Sequence, residues 1–245
     1  MTEKIFVHKF KDLRLEGAAI INGFPTGGLV STIAANYLIG ALKLDQIGAI
    51  DSEAFPPVSM IYANKPKFPA RIYAGEESKI VVFLSEFTPF PSLARPIAEL
   101  MFSWAREHGC SRIIAPEVIG VEEETRSSLE VYGVGSTDNT REVMKKLGIK
   151  RLVRGMITGI SGVLLNEGRR IGFDVYSLVA AVKPEVSDAR AAAKIIEVIG
   201  RLTPTIKIDV EPLYEEAEKI EKFIKRLREQ AKAATEPATL SEMYR

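Results

Sequence analysis

Cysteine is almost absent from this chain. Cys110 is the only one among 245 residues, so no internal disulfide can form and one thiol cannot build a zinc site. Histidine is scarce too: His8 and His108 are the only imidazoles. Glutamine is limited to Gln46 and Gln230. No apolar run reaches the eighteen or so residues of a membrane-spanning helix. The opening MTEKIFVHKFKDLRLEGAAII lacks the apolar stretch of an export signal, so the expected compartment is the cytosol. An excess of charge is missing as well. The 33 basic and 32 acidic side chains leave a net charge of +1, which offers no electrostatic footprint for nucleic acid or for a membrane surface. No internal repeat and no low-complexity stretch interrupts the pattern.

What the chain does have is apolar material, 46% of its residues, enough for one sizeable core. Short apolar runs alternate with longer helical patterns, which predicts an α/β fold. AAIING (Ala18 to Gly23) reads as a buried strand, GFPTGG as a turn, LVSTIAANYLIGAL (Leu29 to Leu42) as a helix and QIGAID as a second strand. Such a βαβ opening implies a parallel sheet with a right-handed crossover. SMIYANKPKFPARIYAG and KIVVFLSEF predict a hairpin and a further core strand. SLARPIAELMFSWAREHG is a helix stopped by glycine. RIIAPEVIG and EVYGVGST read as strands, TREVMKKLG as a short helix, and a further helix starts near Ile160. FDVYSLVAAV is a strong last strand, and DARAAAKIIEVIGRL is a helix whose alanines suit close packing.

From about residue 210 the character changes. Leu213, Ala217, Ile220, Ile224, Leu227, Ala231 and Ala234 follow one another at steps of four and three, a narrow helical stripe. It fits a terminal helix lying on its own domain, or one packing against other copies. Beyond Ala234, TEPATLSE with Pro237 cannot continue a helix. The expected organisation is an α/β core over residues 1–209, a helix over 210–234 and a flexible tail over 235–245.

Candidate chemistry in the body is sparse. GFPTGG between strand and helix could cradle a phosphate on free amides, but Leu29 and Val30 stand where a phosphate loop needs Lys and Ser or Thr. A tight turn is the simpler reading. Asp51 and Glu53 follow a strand, and Glu117 lies within one. Carboxylates at the carboxyl ends of parallel strands can line a ligand crevice, yet no partner for Glu117 is identifiable, and Glu122, Glu123 and Glu124 read as a solvated run. Cys110 beside His108 is a candidate nucleophile pair; a buried filler thiol and a histidine at a helix end are the alternative. No catalytic residue, cofactor or metal is expected.

The sharpest local signal is the ending, ATEPATLSEMYR. A hydrophobic residue, a tyrosine and a terminal residue, held off the body by a proline-bearing polar segment, resemble the hydrophobic-tyrosine-X tail of proteasome activators. The match is Met243, Tyr244 and Arg245. The body points the same way. AAIINGFPTGGLVSTIAANYLIGAL, QIGAIDSEAFPPV and SEFTPFPSLARPIAELMFSWAREHG are similar to the proteasome assembly chaperone 2 family in its archaeal form, a resemblance that runs from about Gly17 to Leu202. It implies a three-layer α/β/α unit like that of purine nucleoside phosphorylases, with a mainly parallel or mixed sheet. It also implies homo-oligomers, no nucleotide requirement, and α-subunits of the proteasome core particle as partners for Met243, Tyr244 and Arg245. Activator and assembly chaperone both fit. The competing expectation is a phosphorylase or hydrolase acting on a nucleoside-like molecule.

Overall fold

The computed structural model describes residues 4–25, 29–120, 129–182 and 188–219. A mixed nine-stranded sheet forms its centre, in the order β1-β3-β6-β7-β2-β8-β11-β9-β10. The strands are β1 (Phe6–Lys9), β2 (Ala19–Gly23), β3 (Asp45–Asp51), β6 (Ala70–Gly75), β7 (Ile80–Ser85), β8 (Arg112–Gly120), β9 (Glu130–Gly135), β10 (Lys150–Arg151) and β11 (Val175–Val182). A separate hairpin joins β4 (Met60–Tyr62) to β5 (Lys65–Lys67). Its turn at Ala63 and Asn64 has φ of 48° and 60°, as a tight hairpin turn requires.

Helices cover both faces. On one side α1 (Val30–Ala41), α3 (Asp138–Lys146) and α5 (Asp188–Leu202) bury Ala34, Ala35, Leu38, Met144, Ile195 and Ile199 against the sheet. On the other, α2 (Ala94–Glu107) and α4 (Gly159–Ile171) bury Ile97, Met101, Ile160 and Leu164. The three-layer α/β/α arrangement is thus the one the resemblance implies. Residues 211–219 form a sixth helix, α6. Its Leu213 and Ala217 are buried in the α1/α5 layer, so the stripe begins by packing on its own body. The remainder of the stripe, from Ile220 onward, lies outside the described residues.

Local chemistry explains the element ends. Thr137 and Thr140 cap α3 reciprocally: the Thr140 N–H donates to Thr137 Oγ1 at 3.1 Å, and the Thr137 N–H donates to Thr140 Oγ1 at 3.1 Å. Asp138 in the first turn and Lys145 and Lys146 in the last complement the helix dipole. β2 and β7 are buried along their whole lengths, because helices cover both faces of these central strands.

One expectation needs correction. The β2-α1-β3 unit does run parallel, but β3 is not beside β2. The antiparallel pair β6 and β7 lies between them, with β7 parallel to β2 and β6 antiparallel to β3. Buried Ile72, Ala74, Val81 and Phe83 explain why the pair sits inside the sheet and not at its edge. Two strands carry no legible pattern in the sequence: β1, which pairs antiparallel with β3, and the two-residue β10. β9 pairs antiparallel with β11, so the sheet is mixed at both ends.

Candidate functional site

The carboxyl ends of the central parallel strands are the place to look for a site in such a fold. There, β2 ends in Asn22 and Gly23. The buried Asn22 amide donates to Ser161 Oγ of α4 at 3.3 Å, and its Oδ1 accepts the Phe24 N–H at 3.2 Å. That local turn folds the chain over the sheet and buries Phe24. Gly23 is required by close approach: a Cβ there would lie 2.5 Å from Ala35 Cβ and 2.8 Å from the Phe83 carbonyl oxygen.

The amino end of α1 is already provided for. Ser31 Oγ donates to the Phe24 carbonyl at 3.0 Å, and Thr32 Oγ1 to the Gly23 carbonyl at 3.2 Å. The Leu29 N–H donates to Asp188 Oδ2 of α5 at 2.8 Å. A carboxylate of the chain itself therefore holds the position a phosphate would want, and any second anion would meet its charge. Of GFPTGG only Gly23, Phe24 and Pro25 are described; Thr26, Gly27 and Gly28 lie outside the described residues.

The carboxylate candidates do not converge. Glu117 is buried on β8. Asp51 closes β3, accepts the Ser52 N–H at 2.9 Å and lies 3.9 Å from His8 Nε2. Four strand steps separate β3 from β8, about 19 Å at the usual spacing, too far for a paired acid and base. Glu53 is exposed, and Glu122, Glu123 and Glu124 lie outside the described residues. No group of three or more metal-ligating side chains occurs among the described residues.

The thiol pair also separates. The Cys110 thiol points to the Leu15 carbonyl at 3.9 Å, and burial pushes its pKa up to about 11. His108 stacks on Trp104 with ring centroids 4.0 Å apart, its Nδ1 3.1 Å from the Trp104 carbonyl oxygen. The histidine thus closes the end of α2, and the protonated thiol is unsuited to attack.

What does form at this end of the sheet is a groove of about 480 Å³. Its walls come from three separate segments: Pro25 after β2, the Thr88–Pro91 approach to α2, and Thr158–Ile160 with Val163 at the start of α4. Phe90 stands at the groove 66% exposed, between Pro89 and Pro91. Neither α2 nor α4 carries an acidic residue in its first turn, and Thr158 makes no side-chain cap bond to α4. Gly159 takes φ of 63° to turn the chain into that helix. Among the described residues no carboxylate lines the groove. Its chemistry is therefore apolar walls with helix amino ends beside them. Val153 and Met156, 86% and 80% exposed, add apolar surface in the segment leading to α4. The PFP run of residues 89–91 was the one sequence signal for this site, an aromatic held between two prolines. Met243, Tyr244 and Arg245 lie outside the described residues.

The PAC2 family model matches residues 20–228. The chain belongs to the PAC2 family. Among solved structures it is 33% identical to Pyrococcus furiosus PbaA, described as an archaeal homolog of proteasome-assembly chaperone, with a TM-score of 0.81 and 94% of each chain covered. It is 22% identical to Pyrococcus furiosus PbaB, described as an archaeal proteasome activator, with a TM-score of 0.79 over 93% of this chain and 100% of the other; that likeness shows the fold. An uncharacterized Methanocaldococcus jannaschii protein is 27% identical over 225 residues, 92% of this chain and 91% of its own. The PAC2 match extends through α6 and past the described body. The match thus runs on to residue 228, while residues 229–245 fall beyond it.

Proposed function

We propose that this PAC2 protein is a non-enzymatic partner of the proteasome core particle. It acts as a homo-oligomer whose C-terminal tails dock into pockets between α-subunits, as an ATP-independent activator, an assembly chaperone for α-subunits, or both. The observation that carries this reading is one-third identity over 94% of the chain to a protein described as a proteasome-assembly chaperone homolog. The chemistry of the tail supports it. Arg245 offers a carboxylate for a charge-assisted contact, Tyr244 a ring with a hydroxyl that can stay hydrogen-bonded, and Met243 adaptable apolar contact. The body supports it by what it does with its polar groups: Asp188 occupies the α1 amino end and Cys110 is held protonated by burial.

A single three-residue anchor is weak. Several tails on one oligomer raise the effective concentration and gain on the order of 10²–10⁴ in avidity. Gate opening then requires tighter binding to the open α-ring than to the closed one. Co-sedimentation with purified core particle, with and without residues 243–245, is the test, read together with stimulation of peptide hydrolysis. Loss of both on truncation is the expected result. Unchanged binding and stimulation would refute tail docking.

A further inference from the structure

The two edges of the nine-stranded sheet differ in kind. β10 closes one edge with only Lys150 and Arg151, both charged and exposed. Short length and charge keep a sheet edge from pairing with another chain. β1 closes the other edge, and among the described residues no strand pairs with its outer side. Phe6 and Phe10 stand 48% and 55% exposed along it. We infer that β1 pairs antiparallel with β1 of a second copy, across a two-fold axis at Val7, so that two sheets become one. The inference rests on the homo-oligomer of the proposed function and deepens it by naming a surface and a symmetry.

The backbone decides which residues can pair. The Phe10 N–H donates to the Ile47 carbonyl at 2.8 Å, and the Lys4 carbonyl accepts the Ser52 hydroxyl at 2.8 Å. Phe6 stands opposite Asp51 and His8 opposite Ala49. In an antiparallel ladder alternate residues bond the same neighbour. The even-numbered residues therefore face β3, and Ile5, Val7 and Lys9 turn their N–H and C=O groups outward. Val7 is the middle one of these three. An axis there lets Val7 exchange both bonds with its equivalent, while Ile5 does so with Lys9 of the second copy and Lys9 with its Ile5.

The side chains agree with that register. Ile5 and Val7 pack on the cluster beneath α2, so Phe6, His8 and Phe10 project from the opposite face of the strand. Pairing about Val7 sets Phe6 beside the second copy's His8. His8 already stacks on Phe68 with ring centroids 5.3 Å apart, so the contact extends an aromatic row across the axis. Lys4 comes beside Phe10 of the second copy, a cation–π contact. Lys9 faces Ile5 and meets no like charge. The strand's other cations do not oppose the approach, because Lys9 is paired with Asp12 and Lys11 with Asp45. The same patch thus serves on both copies, as a two-fold interface requires.

The experiment is sedimentation velocity of the full chain over about 1–100 µM, the range suited to a small interface. The weight-average mass should rise with concentration to a dimer or beyond. Val7→Pro removes an outward N–H and none that faces β3, and it should halve the mass reached. Phe6→Lys enters the interface twice and should raise the dissociation constant about tenfold. Phe6 is exposed, so an unchanged circular dichroism melt for Phe6→Lys separates lost pairing from lost folding. A short bismaleimide should link Val7→Cys into a covalent dimer and leave the native chain unlinked, since Cys110 is buried.

A monomer at every concentration, a mass indifferent to both Val7→Pro and Phe6→Lys, or no linked dimer from Val7→Cys would each overturn the inference. An edge reserved for an extended segment of another protein predicts the first of these. None of these measurements contains core particle. Pairing through β1 without co-sedimentation would sink only the docking in the proposed function. Co-sedimentation of a chain that never pairs through β1 would sink only this inference.

Discussion

The two halves of the sheet solve the same packing problem by different chemistry. The parallel half, β2-β8-β11, sits between helices on both faces. The α5 helix beside it buries only uncharged side chains, four alanines (Ala189, Ala191, Ala192 and Ala193) together with Ile195, Ile196, Val198, Ile199 and Leu202. The antiparallel half, β1-β3-β6-β7, contains a buried ion pair instead. Arg71 Nη2 lies 2.9 Å from Glu86 Oε1, and Arg71 Nη1 donates to the Phe68 carbonyl at 2.8 Å. Tyr62 of the β4-β5 hairpin donates to the same carboxylate and lies over the guanidinium, 5.3 Å away. Burial works against the Arg71 charge, but Glu86, Tyr73 and Tyr62 together hold its pKa above the usual arginine value. The ionic half commits its charges to holding a hairpin down. The apolar half closes by apolar packing, and the groove opens at the seam between the two halves, beyond the carboxyl ends of β2 and β7. The difference indicates where binding can be added without disturbing the fold.

The comparison can be broken first at its strongest point. Arg71→Met should cost about 3–5 kcal/mol in urea unfolding, because Glu86 would remain buried and uncompensated; Arg71→Met with Glu86→Leu should recover most of that. A cost for the single variant no larger than that of a surface substitution would show that the pair does not organise this half. In the parallel half, Gly23→Ala should cost about 1–3 kcal/mol by overpacking against Ala35 and the Phe83 carbonyl, measured in the same way.

The thiol at the base of the molecule gives a pH test. Its pKa lies near 11 in the fold against 9.0 for the free group. The unfolded chain therefore ionises first. The contribution of Cys110 to stability is present in full below pH 9 and is lost as pH rises from about 9 to about 11. Unfolding of the native chain and of Cys110→Ala across that range should converge, and native Cys110 should react with a thiol reagent at pH 8 roughly 100-fold more slowly than in the unfolded chain.

A smaller effect is expected where α6 joins the body. Burial and the Glu197 hydrogen bond raise the Tyr214 pKa, so the phenol stays protonated and donates. Tyr214→Phe should cost about 1 kcal/mol and loosen the protection of residues 211–219 in hydrogen exchange. Smallest of all in stability is Phe90→Ser, under about 0.5 kcal/mol in an exposed position. Phe90 lines the groove just after β7, at the seam between the two halves, so this substitution changes the groove and leaves both packing schemes intact.

Much of the fold was legible because its signals are local. The strands AAIING, KIVVFL and FDVYSLVAAV are continuous apolar runs, which central strands covered on both faces must be. Helices announced themselves by periodicity, and α3 by its threonines. β1 was not legible, because FVHK alternates without a strong apolar face and is held by pairing with Gly48–Asp51 of β3. The insertion of β6 and β7 between β2 and β3 was not legible either: strand order is set by which edges meet in three dimensions, and the βαβ pattern reports only direction. The groove escaped for the same reason, since Pro25, Phe90 and Thr158 are far apart in sequence. The Arg71–Glu86 pair gave no sign, as any of 33 basic and 32 acidic residues could have met.

The amino-acid order alone determined the class of fold, the existence of nearly every helix and strand, the PAC2 resemblance and the chemistry of the last three residues. These depend on periodicity, local turn chemistry and composition, which act over a few residues. Only the tertiary structure decided that Asp188 takes the Leu29 N–H at the amino end of α1, that Cys110 and His108 find separate partners, and that an apolar groove opens beside α4. Those outcomes depend on contacts between distant segments, and a linear pattern carries no distances.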